Sequence, residues 1–176
     1  MSTMLVKVVP HEDHWASDFE EMVGLLHEKI GEGIVNIHHI GSTSVPGLVA
    51  KPVIDIMLEV SSLEVIDQQN AAFEALGFVA RGENGISRRR YFEKGGYHRS
   101  HQIHAFPAGD EHVERHLAFR DYLRTFPKVR DAYGALKIKV AKSCQNDIEK
   151  YCDGKDAFIQ HHEALALEWN KKHNID

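Results

Sequence analysis

Residues 40–60 constrain this chain more than any other stretch. An apolar run ends at Ile40 and Gly41-Ser42 follows; a loop punctuated by Pro46, Gly47 and Pro52 then carries Lys51, and a second apolar run holds one carboxylate, Asp55. A Gly-Ser turn after a strand lets backbone amides and a hydroxyl approach a phosphate closely. A carboxylate inside an otherwise apolar strand is expensive to bury, so it needs a partner or a task. Gly41, Ser42 and Thr43 are therefore candidate phosphate-binding residues, with Lys51 as a neutralising charge and Asp55 as the reactive or metal-binding group. The alternatives are a plain strand-to-loop turn, a solvated lysine and a structural carboxylate. The loop is not of the Walker type, because neither the glycine spacing nor the Lys-Ser/Thr ending fits.

The rest of the chain reads as one domain. It has 176 residues, 43% hydrophobic and 27% charged, enough for a real core. Trp15, Phe19, Met22, Val23, Leu26 and Ile30 share one face of a helix over 13–30, which Gly31 and Gly33 end. Val- and Ile-rich segments predict strands over 34–40 and 53–60. Ser61 with Glu64 predicts a capping box for a helix reaching 76. Further strands are expected over 78–81, 86–93 and 101–106. Beyond Pro107 the pattern is helical: Asp110 caps one helix, Pro127 opens a second, and a last one covers 156–172. The expectation is an α+β fold across 1–176, with a small mixed or antiparallel sheet and flanking helices in 1–107 and a helical cap in 108–176.

Several function classes are disfavoured. A net charge of −5 argues against broad affinity for nucleic acid or membranes. No 18-residue apolar run exists, so no membrane span is expected. The first residues lack the pattern of a signal peptide, and Cys144 and Cys152 suit neither a disulfide framework nor a four-ligand zinc site. Two reduced thiols and a cytoplasmic location are expected. Nothing in the sequence sets an oligomeric state.

Four separated blocks resemble the GrpB family, a branch of the nucleotidyltransferase-like superfamily. They are His39-Ile40-Gly41-Ser42-Thr43-Ser44-Val45-Pro46-Gly47-Leu48 with Lys51-Pro52-Val53-Ile54-Asp55-Ile56, then His101-Gln102-Ile103-His104, then Leu117 to Arg124, and Tyr133-Gly134-Ala135-Leu136-Lys137. The resemblance implies a nucleotidyltransferase-like fold that binds a nucleoside triphosphate or a phosphorylated metabolite. Active members of that superfamily carry two carboxylates one residue apart on the strand after the Gly-Ser turn, and a third commonly comes from a neighbouring strand. Alternate strand residues share a face, so such a pair can grip two divalent ions that bridge phosphates. Here Asp55 fits the second position while Val53 occupies the first and Met57 follows. Glu59 shares the face but lies about 13 Å along the strand. Gln102 and His104 stand where the third acid is expected.

The candidate set is completed by Arg90, Arg120 and Lys137 for phosphate charge, by His104 as a second metal ligand, and by Asp55 and Ser42 as the catalytic residues. Arg88 and Arg90 share a strand face and Arg89 points the other way; solvent exposure is the alternative for all three. Arg120 and Lys137 are included because they fall in matching blocks, with a surface ion pair as the alternative for Arg120. Asp55 with His104 would suit manganese or zinc better than magnesium, the usual ion of the superfamily. His98, His101 and His104 alternate faces on a strand, so they do not make a three-histidine site by themselves. Three functions stay open: metal-dependent nucleotidyl transfer lacking one carboxylate, a catalytically degenerate nucleotide- or phosphate-binding module, and hydrolysis of a phosphorylated metabolite around one ion.

Overall fold

A computed structural model describes residues 3–173. Helix α1 (His14–Lys29) forms where the apolar residues repeat at helical spacing, and it buries Trp15, Phe19, Met22 and Leu26. Strand β1 (Ile34–Ile40) leads into a 3-10 turn, Ser42–Ser44, and β2 (Ile54–Val60) runs back antiparallel to it. Two short helices, α2 (Leu63–Asp67) and α3 (Asn70–Ala75), replace the single helix expected up to 76. The cap is Ser62 rather than Ser61: its hydroxyl accepts from the Val65 amide. The sheet is completed by β3 (Val79–Ala80), β4 (Arg90–Lys94) and β5 (His101–Pro107).

The order is β1-β2-β5-β4-β3, with β2 and β5 parallel and the other neighbours antiparallel, so the sheet is mixed. Strand β4 starts four residues later than the alternation predicted. Arg88 sits at φ +66°, a left-handed conformation that ends a ladder, and the Arg88 amide donates to the Glu83 carboxylate instead.

Successive strand residues face opposite ways, and this divides the sheet chemically. Ile54, Ile56, Leu58, Phe92, Ile103 and Ala105 turn to one side and pack with α1, α2 and α3 in the main core. The other side carries Ile40, Met57 and Phe106 against Val113, and it also carries Asp55, Gln102 and His104.

Helices α4 (Glu111–Thr125), α5 (Pro127–Ser143) and α6 (Ile148–His173) follow the sheet. Asp110 caps α4 through the His112 amide, and Pro127 takes the first turn of α5, as expected. The last helix begins eight residues before the expected start. Gln145 and Asn146 turn the chain through positive φ, and the Asp147 carboxylate accepts from the Glu149 and Lys150 amides. This early start matters, because it puts Tyr151 and Lys155 one turn apart on a helical face.

Candidate functional site

Asp55 lies at the start of β2, directly opposite Ile40 on β1 and Gln102 on β5. Its Oδ2 faces Gly41: a Cβ built on that glycine would sit 2.6 Å from it. Gly41 has φ +73° and ψ −175°, a conformation open essentially to glycine alone. The sharp turn and the carboxylate are thus fitted to each other.

The other oxygen is saturated by β5. His104 Nε2 lies 3.1 Å from Asp55 Oδ1. The Gln102 amide, in the orientation that satisfies both its ends, donates to the same oxygen at 2.9 Å and accepts from the Tyr91 hydroxyl and Arg99. Arg89 Nη1 stands 3.4 Å from His104 Nδ1. An arginine only donates, so Nδ1 accepts and Nε2 carries the proton given to Asp55. In that tautomer Nε2 has no lone pair for a metal.

The carboxylates that could have completed a metal centre are engaged elsewhere. Glu59 binds Asn36 and His38. Glu93 pairs with Arg81 and Arg99, and Glu83 takes the Arg88 amide. Among the described residues no group of three or more His, Cys, Asp or Glu is placed to hold an ion. Asp55 and His104 do come together as the sequence predicts, but as a hydrogen-bonded pair, and these donors do not fit a two-ion centre.

What surrounds Asp55 is basic. A cavity of about 220 Å³ is lined by Ser42, Thr43, Lys51, Val53, Asp55, Gln102 and Lys137, and by Tyr151, Cys152 and Lys155 from α6. Lys137 is 1% exposed, and its ammonium donates to the Val49 carbonyl at 2.8 Å. Lys51 and Lys155 lie over the Tyr151 ring, 5.0 and 4.6 Å from its centroid. Burial lowers all three lysine pKa values: Lys51 falls to about 8, Lys137 drops well below its usual range, and Lys155 moves the same way. Asp55 opposes each of these shifts.

The loop between β1 and β2 is held by cations of the helical part. Arg120 donates to the His39 carbonyl, Arg124 to Ser44, Arg130 to Pro46 and Lys137 to Val49. Arg120 and Lys137 thus already have backbone acceptors, and Arg120 also pairs with Asp121. Thr43 is similarly committed. Its hydroxyl donates to the Val53 carbonyl and accepts from His39 Nε2, while His39 stacks on Phe19 and burial lowers its pKa to about 4. Of the two adjacent histidines, His39 is the one that reaches the Gly-Ser loop.

Arg90 is not brought to the site. It lies opposite Ala105 on the far face of the sheet, where its guanidinium grips both oxygens of Asp67 at 2.7 and 3.1 Å. Arg89, on the side of Asp55, is the arginine that reaches His104. Sequence reading also missed Tyr151 and Lys155, whose signal was the Asn146-Asp147 stop-and-cap ahead of Ile148.

A second cavity of about 240 Å³ adjoins the first. Gly41, Ser42, Arg115, Phe119, Arg120, Tyr133 and Glu163 line it, and Ser42 belongs to both.

With that geometry in view, residues 5–164 match the family described as GrpB protein. The chain belongs to the GrpB family. It is 42% identical over 169 residues to the UPF0157 protein YqkA of Bacillus subtilis (strain 168), covering 96% of this chain and 49% of that protein. The chain therefore spans about half the length of that curated relative. It is 30% identical over 159 residues to the glutamate-rich protein GrpB of Alkalihalophilus pseudofirmus, covering 88% of this chain and 91% of that one. Its fold is similar to the crystal structure of conserved protein GrpB from Enterococcus faecalis, with a TM-score of 0.88, 40% identity, and coverage of 92% of this chain and 98% of that chain. No helix of the described residues is long and apolar enough to cross a membrane.

Proposed function

We propose that this GrpB-family chain binds a phosphorylated small molecule, best matched by a nucleoside triphosphate, in the cleft between the Gly41-Ser42 turn, Asp55 and α6. One observation carries the reading: a cavity that Lys51, Lys137 and Lys155 line together with Ser42 and Asp55 opens beside a glycine turn fitted closely to Asp55. Lysine ammonium groups and a hydroxyl at a glycine turn are the donors that phosphate oxygens require. The adjoining cavity, with Phe119 and Tyr133 in its wall, has the largely apolar lining that suits a nucleobase. The two free cysteines, Cys144 and Cys152, suit a cytoplasmic setting.

Nucleotidyl transfer is the second reading, and its support is the pairing of Gly41-Ser42 with Asp55. Val53 and the Gln102–His104 pair weigh against efficient transfer, because they leave one carboxylate where the chemistry uses several. Shared fold alone does not decide between binding and turnover. Calorimetric titration of the four common nucleoside triphosphates into the full chain separates the cases. Saturable binding of at least one of them is expected. No binding of any, with magnesium, manganese or a chelator present, overturns nucleotide recognition at this cleft.

A further inference from the structure

The lysine cavity contains more positive charge than its own residues balance. Lys51, Lys137 and Lys155 line one small space with Asp55 as its carboxylate, and among the described residues no lysine there makes an ion pair within 4.0 Å. Lys51 has the Met4 thioether and the Tyr151 ring as neighbours, Lys137 a carbonyl, and Lys155 the same ring. Placing unpaired ammonium groups together in a poorly hydrated space is costly: Lys155 raises the cost for Lys51, and both raise it for Lys137. A fold keeps such a cluster when something anionic completes it.

A second observation points the same way. Tyr151 is fully buried and lines this cavity, yet among the described residues its hydroxyl has no hydrogen-bond partner. Buried hydroxyls are almost always bonded, so an orphan on a residue that lines a cavity is a candidate partner for a ligand atom. The ring is held on one side of the problem already, by the two ammonium groups that lie over it; only the hydroxyl is left without a function in the unliganded protein. It belongs to the ring that Lys51 and Lys155 cover, and it is a donor that an anionic oxygen can use.

Resting on the nucleotide reading above, we infer that Lys51, Lys137, Lys155 and the Tyr151 hydroxyl form an oligophosphate subsite in which ammonium groups take the place of divalent ions, so that the phosphate chain binds without metal. Val53 then has a reason to be apolar: with ammonium groups neutralising the phosphates, a first carboxylate there would repel the ligand. Asp55 remains as the charge that steadies the lysines and shapes the Gly41 turn. The arrangement predicts that the anionic group itself, without base or sugar, is recognised.

Pyrophosphate is the probe, titrated calorimetrically into the full chain in a chelating buffer and again with magnesium. Binding in chelator is expected, and magnesium does not strengthen it. Lys155→Gln weakens it by about tenfold or more, the loss typical of a charge-assisted hydrogen bond. Tyr151→Phe weakens it several-fold while leaving the unliganded melting temperature unchanged or raised, because the deleted oxygen makes no bond in that state. A purely structural tyrosine would not move affinity in that pattern. If triphosphates bind only with magnesium and pyrophosphate ignores both variants, the metal-free subsite is wrong while nucleotide binding stands. If neither pyrophosphate nor any triphosphate binds, both fail.

Discussion

Gly41→Ala is expected to destabilise the protein by about 2–4 kcal/mol, combining backbone strain with a clash the sheet cannot relieve. At φ +73° and ψ −175° the backbone occupies a region that side chains with a Cβ avoid. The added methyl would meet Asp55 Oδ2 at 2.6 Å, its Cβ at 3.0 Å and its Cγ at 3.1 Å. Contacts that short force movement, and Asp55 has nowhere to go: its strand is paired on both sides, to Ile40 and to Gln102. Gly96→Ala supplies the control. That glycine also has positive φ, at +59°, but a Cβ there meets nothing within 4 Å, so its cost stays near 1 kcal/mol. Chemical denaturation of the two variants measures the difference. Adding Asp55→Ala to Gly41→Ala restores part of the loss, since the contacts with Oδ2 and Cγ go while the Cβ contact and the backbone strain stay. Equal costs for Gly41→Ala and Gly96→Ala would contradict the fit between turn and carboxylate.

The second large effect is a pH dependence centred on Lys51. Burial lowers its pKa from 10.5 to about 8 in the folded protein. Between those values the unfolded chain holds a proton that the folded chain has released, so stability rises with pH across that window. Below about 8 both states are protonated, and the full cost of burying the ammonium, on the order of 3 kcal/mol, weighs on the fold. Anion binding has the opposite sign: a bound anion favours the charged lysine, takes up protons near pH 8, and weakens as the ammonium is lost above it. Sulfate is the suitable probe, because its own charge does not change over this range. Its affinity is expected to fall about tenfold between pH 7 and pH 10. Lys51→Arg, whose guanidinium stays charged, makes the fall shallower, and Lys137 and Lys155 supply what remains of it. A wild-type affinity that does not change from pH 7 to pH 10 contradicts the role given to Lys51.

How much of this was legible in the sequence depended on whether the signal was local. Strands β1 and β2 were visible in runs of Val and Ile, and the caps of α4 and α5 in Asp110 and Pro127, because each is decided by neighbouring residues. Gly41-Ser42 and Asp55 were visible for the same reason. The face of Arg90 was not. Alternation separates Arg89 from Arg88 and Arg90, but only the pairing of β4 with β5 decides which side meets Asp55. Strand β4 was overextended because a left-handed Arg88 carries no glycine to announce it. The start of α6 was missed although Asn146-Asp147 marks it, and with it went Tyr151 and Lys155. Their approach to Lys51 joins residues about a hundred positions apart, which no periodicity reports. Arg120 and Lys137 looked like candidates for ligand charge, yet they, together with Arg124 and Arg130, each hold a carbonyl at or just before the loop that shapes the site.

Asp55 is where the competing chemistries part most widely. If divalent ions carry the phosphates, removing its charge removes the ion and the ligand together. If the lysines carry them, removing its charge removes a repulsion. Asn is nearly isosteric and its carbonyl can still accept from Gln102 and His104, so the fold should survive the exchange. The decisive measurement is calorimetric titration of ATP into wild type and Asp55→Asn, in chelator and in magnesium. Binding in chelator that Asp55→Asn preserves or strengthens is the predicted result; binding that requires magnesium and disappears in Asp55→Asn would contradict it.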